Sequence, residues 1–80
     1  MKKICVVGLG YIGLPTASVF ARAGYDVLGV DVNKKVVDSL NEGKVTIEEV
    51  DRPELVKSVV EKGNLRASLV PEKADVFIIA

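Results

Sequence analysis

Apolar positions along the chain change period several times, and each change marks an element. Residues 3–7 (Lys-Ile-Cys-Val-Val) form a short apolar run that ends at Gly8. Such a run fits a parallel strand buried on both faces. Over residues 11–23 the spacing becomes helical: Ile12, Val19, Phe20 and Ala23 share a stripe, with Thr16 at its edge. Pro15 is tolerated only near a helix start, where backbone N–H groups lack partners anyway, and Gly24 supplies a C-terminal cap. Residues 26–32 make a second apolar strand that ends near Asp31. Asn33 N-caps a helix over residues 34–41, with Val36, Val37 and Leu40 inward and Gly43 after it.

Residues 44–50 read as irregular or weakly extended. Asp51 and Glu54 then form a capping box before a helix striped by Leu55, Val56, Val59 and Val60, and Gly63 stops it. Residues 65–69 predict a third strand, residues 71–73 a short connection or helical turn, and residues 75–80 a strongly apolar fourth strand. Strands alternating with helices imply a parallel sheet with right-handed crossovers.

Composition narrows the class. A chain of 80 residues has room for one small domain. Eleven basic residues balance eleven acidic ones, so the basic excess of a nucleic-acid binder is missing. Cys5 is the only cysteine and there is no histidine, which removes an internal disulfide, His-based catalysis and the usual zinc sets. Cys5 itself reads as a small buried hydrophobe, not a nucleophile. Glu48, Glu49 and Asp51 read as a solvated acidic stretch, not a metal site. The apolar run over residues 4–7 is too short for a signal peptide or a membrane span, so a cytoplasmic protein is expected.

The candidate chemistry lies in Gly8-Leu9-Gly10-Tyr11-Ile12-Gly13, which matches G-x-G-x-x-G. Three glycines alone are weak evidence. Here they follow a strand, open a helix and precede an acidic residue at the end of the next strand. Gly8 permits the tight turn, Gly10 lets a pyrophosphate approach the backbone, and Gly13 lets the helix pack close to the sheet. The helix N-terminus offers N–H groups and partial positive charge to a diphosphate. Asp31 can accept the adenosine ribose hydroxyls and would repel a 2′-phosphate, so NAD is preferred over NADP. The plainer alternative for Asp31 is a helix cap or solvated strand end. Asn33 and Lys35 lie beside it, and Lys35 either flanks the adenosine or faces water. The cofactor-binding set is therefore Gly8, Leu9, Gly10, Tyr11, Ile12, Gly13, Asp31, Asn33 and Lys35. The fold class is α/β: a Rossmann-like parallel sheet, first half only, of about four strands in the order 3-2-1-4 with flanking helices.

The stretch Val7-Gly8-Leu9-Gly10-Tyr11-Ile12-Gly13-Leu14-Pro15 resembles the N-terminal NAD-binding domain of the UDP-glucose/GDP-mannose dehydrogenase family. Ala23-Gly24-Tyr25-Asp26-Val27, Gly29-Val30-Asp31-Val32-Asn33 and Leu40-Asn41-Glu42-Gly43 agree with it. Gly63-Asn64-Leu65-Arg66-Ala67-Ser68 is most similar to its UDP-N-acetyl-D-mannosamine dehydrogenase branch. The resemblance covers essentially the whole chain. It implies a family that oxidises C6 of a nucleotide sugar to a carboxylate in two NAD-dependent steps. Two departures stand out. The Glu-Pro-Gly-Leu-like stretch of the family reads Glu49-Val50-Asp51-Arg52-Pro53-Glu54-Leu55 here, and its later catalytic cysteine, lysine and aspartate have no counterpart.

Residues 1–80 are thus expected to be a partial, truncated NAD-binding domain without a substrate or catalytic domain, and inactive alone. NAD(H) is the expected partner, with a UDP-sugar only in a full-length parent, and neither nucleic acid nor membrane. A stand-alone nucleotide-sensing module, as in potassium uptake systems, is the rival from another class. The order 3-2-1-4 leaves residues 75–80 at a bare apolar edge, from which self-association is expected.

Overall fold

Among the described residues four parallel strands lie in the order β3-β2-β1-β4, the parallel pairing that the alternation of periods predicts and the order that the Rossmann-like reading predicts. The structure, a computed structural model, describes residues 2–10, 13–44 and 53–80. Its elements are β1 (Lys3–Val7), α1 (Gly13–Arg22), β2 (Asp26–Val30), α2 (Lys34–Asn41), α3 (Pro53–Glu61), β3 (Leu65–Ser68) and β4 (Val76–Ile79). Central β1 pairs with β2 through Cys5↔Leu28 and Val7↔Val30, and with β4 through Cys5↔Phe77 and Val7↔Ile79. β3 pairs with the outer side of β2, Leu65 opposite Val27.

Side chains alternate across a strand, so each strand contributes to two cores. Ile4, Val6, Val27, Leu65 and Ala67 form one core with residues of all three helices. The opposite face carries Cys5, Leu28 and Val30, packed by Val7 and by Ala74 from the β3–β4 connection. Of the two readings for residues 71–73, a short connection or a helical turn, the structure shows the connection. Glu72 fastens it, 2.7 Å from Lys3 Nζ and 3.6 Å from Arg66 Nη2. Both cations hold the Glu72 carboxyl below its ordinary range, Lys3 most strongly.

Each helix ends where a glycine was expected to stop it. At α1, Gly24 has φ +102°, its N–H donates to Ala21 O, and the N–H of Tyr25 reaches Phe20 O. This is the paired bond that satisfies orphan carbonyls at a helix end, and it needs a residue at ease with positive φ. The same pair of bonds closes α2 at Gly43 and α3 at Gly63. Asn33 caps α2 as expected, its side chain accepting the N–H of Lys35.

The stripe expected on α1 is corrected. The buried residues are Gly13, Leu14, Ala17, Ser18 and Ala21, while Val19 is 60% exposed and Phe20 only half-buried. Ala23 is exposed and Ile12 lies outside the described residues. α1 lies against β1 and β2, and the side nearest the strands takes small residues; the buried Ser18 hydroxyl is satisfied by Leu14 O. Three strands are also shorter than expected, β4 losing one residue at each end of the expected 75–80. β2 stops at Val30, leaving Val32 94% exposed, and β3 stops at Ser68, leaving Leu69 exposed. The irregular segment expected over residues 44–50 and the Asp51 cap fall almost wholly outside the described residues.

Candidate functional site

β1 is flanked by β2 on one side and β4 on the other, so the chain reverses its direction of travel across the sheet at β1. Open α/β sheets bind ligands at such a reversal, outside the carboxyl ends of the strands. The glycine loop begins there. Gly8 turns the chain out of β1 with φ +97°, a conformation a side chain would resist, and its N–H donates to Val30 O at 2.7 Å.

The three glycines of the loop have three different surroundings. A Cβ on Gly8 would stand 3.0 Å from Ala80 O, so the loop is tight against the end of β4. A Cβ on Gly13 would run into the carbonyl of Gly8, so the first turn of α1 leans directly on the start of the loop. A Cβ on Gly10 would meet nothing within 4 Å among the described residues, and Gly10 is exposed. Packing among the described residues therefore requires glycine at 13 and does not require it at 10. Leu14 N–H closes back onto Gly10 O at 3.2 Å.

Asp31 follows directly after β2. Its Oδ2 accepts the N–H of Leu9 at 3.0 Å and its Oδ1 accepts the N–H of Asn33 at 2.9 Å. Those backbone donors, Asn33 first and Leu9 second, outweigh partial burial and hold the carboxyl below its ordinary range. A carboxylate oxygen has two lone pairs, so each retains acceptor capacity for a ligand hydroxyl. The Leu9 side chain points into the helix-covered core and is buried.

Of the expected set, Gly8 and Gly13 meet by close approach, Leu9, Asp31 and Asn33 are joined by hydrogen bonds, and Gly10 follows Leu9 in the same loop. Asn33 serves locally: its backbone binds Asp31 and its side chain caps α2. Lys35 is exposed on the first turn of α2, whereas its neighbour Lys34 pairs with Asp38 at 2.7 Å. Tyr11 and Ile12 lie outside the described residues. Cys5 is fully buried in the sheet's second core, as a structural residue would be. Among the described residues no cluster of acidic or cysteine side chains could hold a metal ion. No helix among them is long and apolar enough to cross a membrane.

Sequence reasoning missed Gly29 and Val30. Val30 contributes only a carbonyl, which no side-chain pattern encodes. Gly29 had a signal: a glycine inside an apolar strand marks a close approach. The thing approaching is the side chain of Leu9.

Residues 2–80 match the NAD binding domain of the UDP-glucose/GDP-mannose dehydrogenase family. The UDP-N-acetyl-D-mannosamine dehydrogenase of Campylobacter jejuni is 54% identical over 79 residues, which is 99% of this chain and 19% of that protein. The enzyme of the same name from Methanocaldococcus jannaschii is 55% identical over 78 residues, 98% of this chain and 18% of that one. Among solved structures, the UDP-N-acetyl-mannosamine dehydrogenase of Staphylococcus aureus superposes with a TM-score of 0.90 at 52% identity. That match covers 98% of this chain and 19% of the other. The chain spans about a fifth of the length of the relatives it matches.

Proposed function

The chain belongs to the UDP-glucose/GDP-mannose dehydrogenase family, matching its NAD-binding domain, and we propose that residues 1–80 are a part of that domain holding the adenosine–pyrophosphate half of NAD. One observation carries this: the Asp31 carboxylate is bonded to the backbone of the glycine loop, 3.0 Å from Leu9 N. An acceptor for ribose hydroxyls and a site for a diphosphate are thereby fixed to each other. The backbone of residues 8–13 and the N-terminal end of α1 would hold the diphosphate. Asp31 would accept the ribose hydroxyls and disfavour a 2′-phosphate. Asn33 shapes the turn after Asp31, and Lys35 stands on the adenosine side. Tyr11 and Ile12 belong to the same loop by sequence.

NAD supplies a hydride acceptor when bound. Oxidation of a UDP-sugar to a UDP-uronic acid belongs, on this reading, to a full-length parent. A reducing, cytoplasmic setting suits the buried free thiol of Cys5.

A second copy of the chain is the partner proposed for the β4 edge. The outer side of β3 is closed by Asn41, whose side chain donates to Ala67 O at 3.0 Å and accepts Ala67 N–H at 2.8 Å. β4 has no such cover among the described residues, and Phe77 and Ile79 are 54% and 84% exposed. An open apolar edge is a template for strand pairing.

Amide chemical-shift mapping tests the cofactor reading. Added NAD is expected to shift the signals of residues 8–10 and 31–33. Shifts confined to other parts of the sheet would contradict it.

A further inference from the structure

Gly29 lies in β2 opposite Val6 and Ala67, on the face covered by the helices. A Cβ built on it would stand 2.5 Å from Leu9 Cδ2, 3.0 Å from Cδ1 and 3.2 Å from Cγ. The whole branched end of Leu9 thus occupies a notch that exists because residue 29 has no side chain. Leu9 also gives its N–H to Asp31 Oδ2, two residues further along the same chain. One stretch of backbone therefore holds Leu9 twice, by its side chain and by its amide.

We propose that Gly29 is a positioning residue for the nucleotide site: its notch seats Leu9, and the seated Leu9 sets the separation between the glycine loop and the Asp31 carboxylate. The inference rests on the proposed NAD-binding role of that loop. Gly29 touches no ligand and acts only through Leu9. Both methyls and Cγ of Leu9 lie within the space of an added methyl, so turning one methyl aside does not clear it. Leu9 is buried in the helix-covered core, only 5% exposed, and close packing there leaves it little room to retreat. An added methyl at 29 lifts Leu9, and its N–H leaves the carboxylate.

The test compares wild type, Gly29→Ala, Leu9→Ala and the double variant by NMR, with an NAD titration of each. In Gly29→Ala the Asp31 carboxyl is expected to titrate at higher pH than in wild type. The residue-9 amide is expected to lose exchange protection, and NAD affinity to fall about tenfold, the scale of one charge-assisted hydrogen bond. In the double variant the methyl added at 29 no longer meets the Leu9 side chain and fills part of the space that Leu9→Ala alone leaves empty, so its Asp31 titration is expected to lie nearer to wild type than that of either single variant. A folded Gly29→Ala with an unchanged Asp31 titration, a protected residue-9 amide and unchanged affinity would overturn the inference. Should Gly29→Ala not fold, Leu9→Ala decides: loss of residue-9 amide protection supports the seating role, and retained protection refutes it. Wild type that binds no NAD would refute the cofactor reading instead, while the amide and carboxyl signals still judge Gly29.

Discussion

The Oδ2 of Asp31 and the backbone N–H of Leu9 are 3.0 Å apart, tying the end of β2 to the glycine loop across 22 residues of sequence. With Asn33 N–H on the other oxygen, the bond favours the ionised carboxyl and lowers its pKa from 3.8. The unfolded chain then binds the proton more readily than the native one. Stability from Asp31 is fully present above about pH 4 and is lost as pH falls through the lower, native value. Asp31→Asn is expected to flatten the acid limb of stability against pH, measured by urea unfolding between about pH 2 and 5. Glu72, also lowered, keeps that limb from vanishing. An unchanged acid limb would show that Asp31 is not bonded in solution.

Gly10 and Gly13 differ in what surrounds them. Gly10→Ala is expected to change stability by no more than about 0.5 kcal/mol, as at an open surface site, while weakening NAD binding. Gly13→Ala is expected to lose about 1–3 kcal/mol or more, because the added methyl meets the Gly8 carbonyl and not a yielding side-chain tip. Thermal unfolding and a NAD titration of both variants separate the cofactor-facing glycine from the packing one. Equal loss of stability at the two sites would contradict the assignment.

Much of this fold was legible in the sequence. The four apolar runs, the three terminating glycines and Asn33 all act as their residue types predict, because strand burial, positive φ and capping are local properties. The α1 stripe was not legible. Hydrophobicity pointed to Val19 and Ala23, but the face that α1 buries is Gly13, Leu14, Ala17, Ser18 and Ala21, mostly small residues that carry little hydrophobic signal. Asp31 was legible as an acceptor at the right place. Its bond to Leu9 was not, because it depends on how far β2 runs beside β1. The notch at Gly29 likewise exists only once β2 lies under the loop.

Asn41 substitutes for a missing neighbouring strand. Val27 N–H donates to the carbonyl of Asn64, just before β3, and Asp31 N–H donates to that of Ser68 at its end, so these carbonyls turn inward, and Ala67 faces out to Asn41. Asn41→Ala is expected to cost about 1–2 kcal/mol in chemical denaturation, for two lost hydrogen bonds. Asn41→Asp keeps the acceptor but loses the donor and is expected to fall between. No loss in Asn41→Ala would mean water replaces the amide fully.

The proposed pairing through the β4 edge predicts an association state that depends on concentration. Sedimentation velocity is expected to detect dimer as concentration rises, and Ile79→Lys is expected to restore monomer by placing a charge on the exposed edge. Monomer at every concentration would contradict a second copy as the partner.

Calorimetric titration of the chain with NAD and, separately, with NADP tests the central claim most directly. Asp31 at the foot of the glycine loop predicts NAD binding at least about tenfold tighter than NADP, a difference of about 1.4 kcal/mol. Equal binding, or tighter binding of NADP, would contradict it.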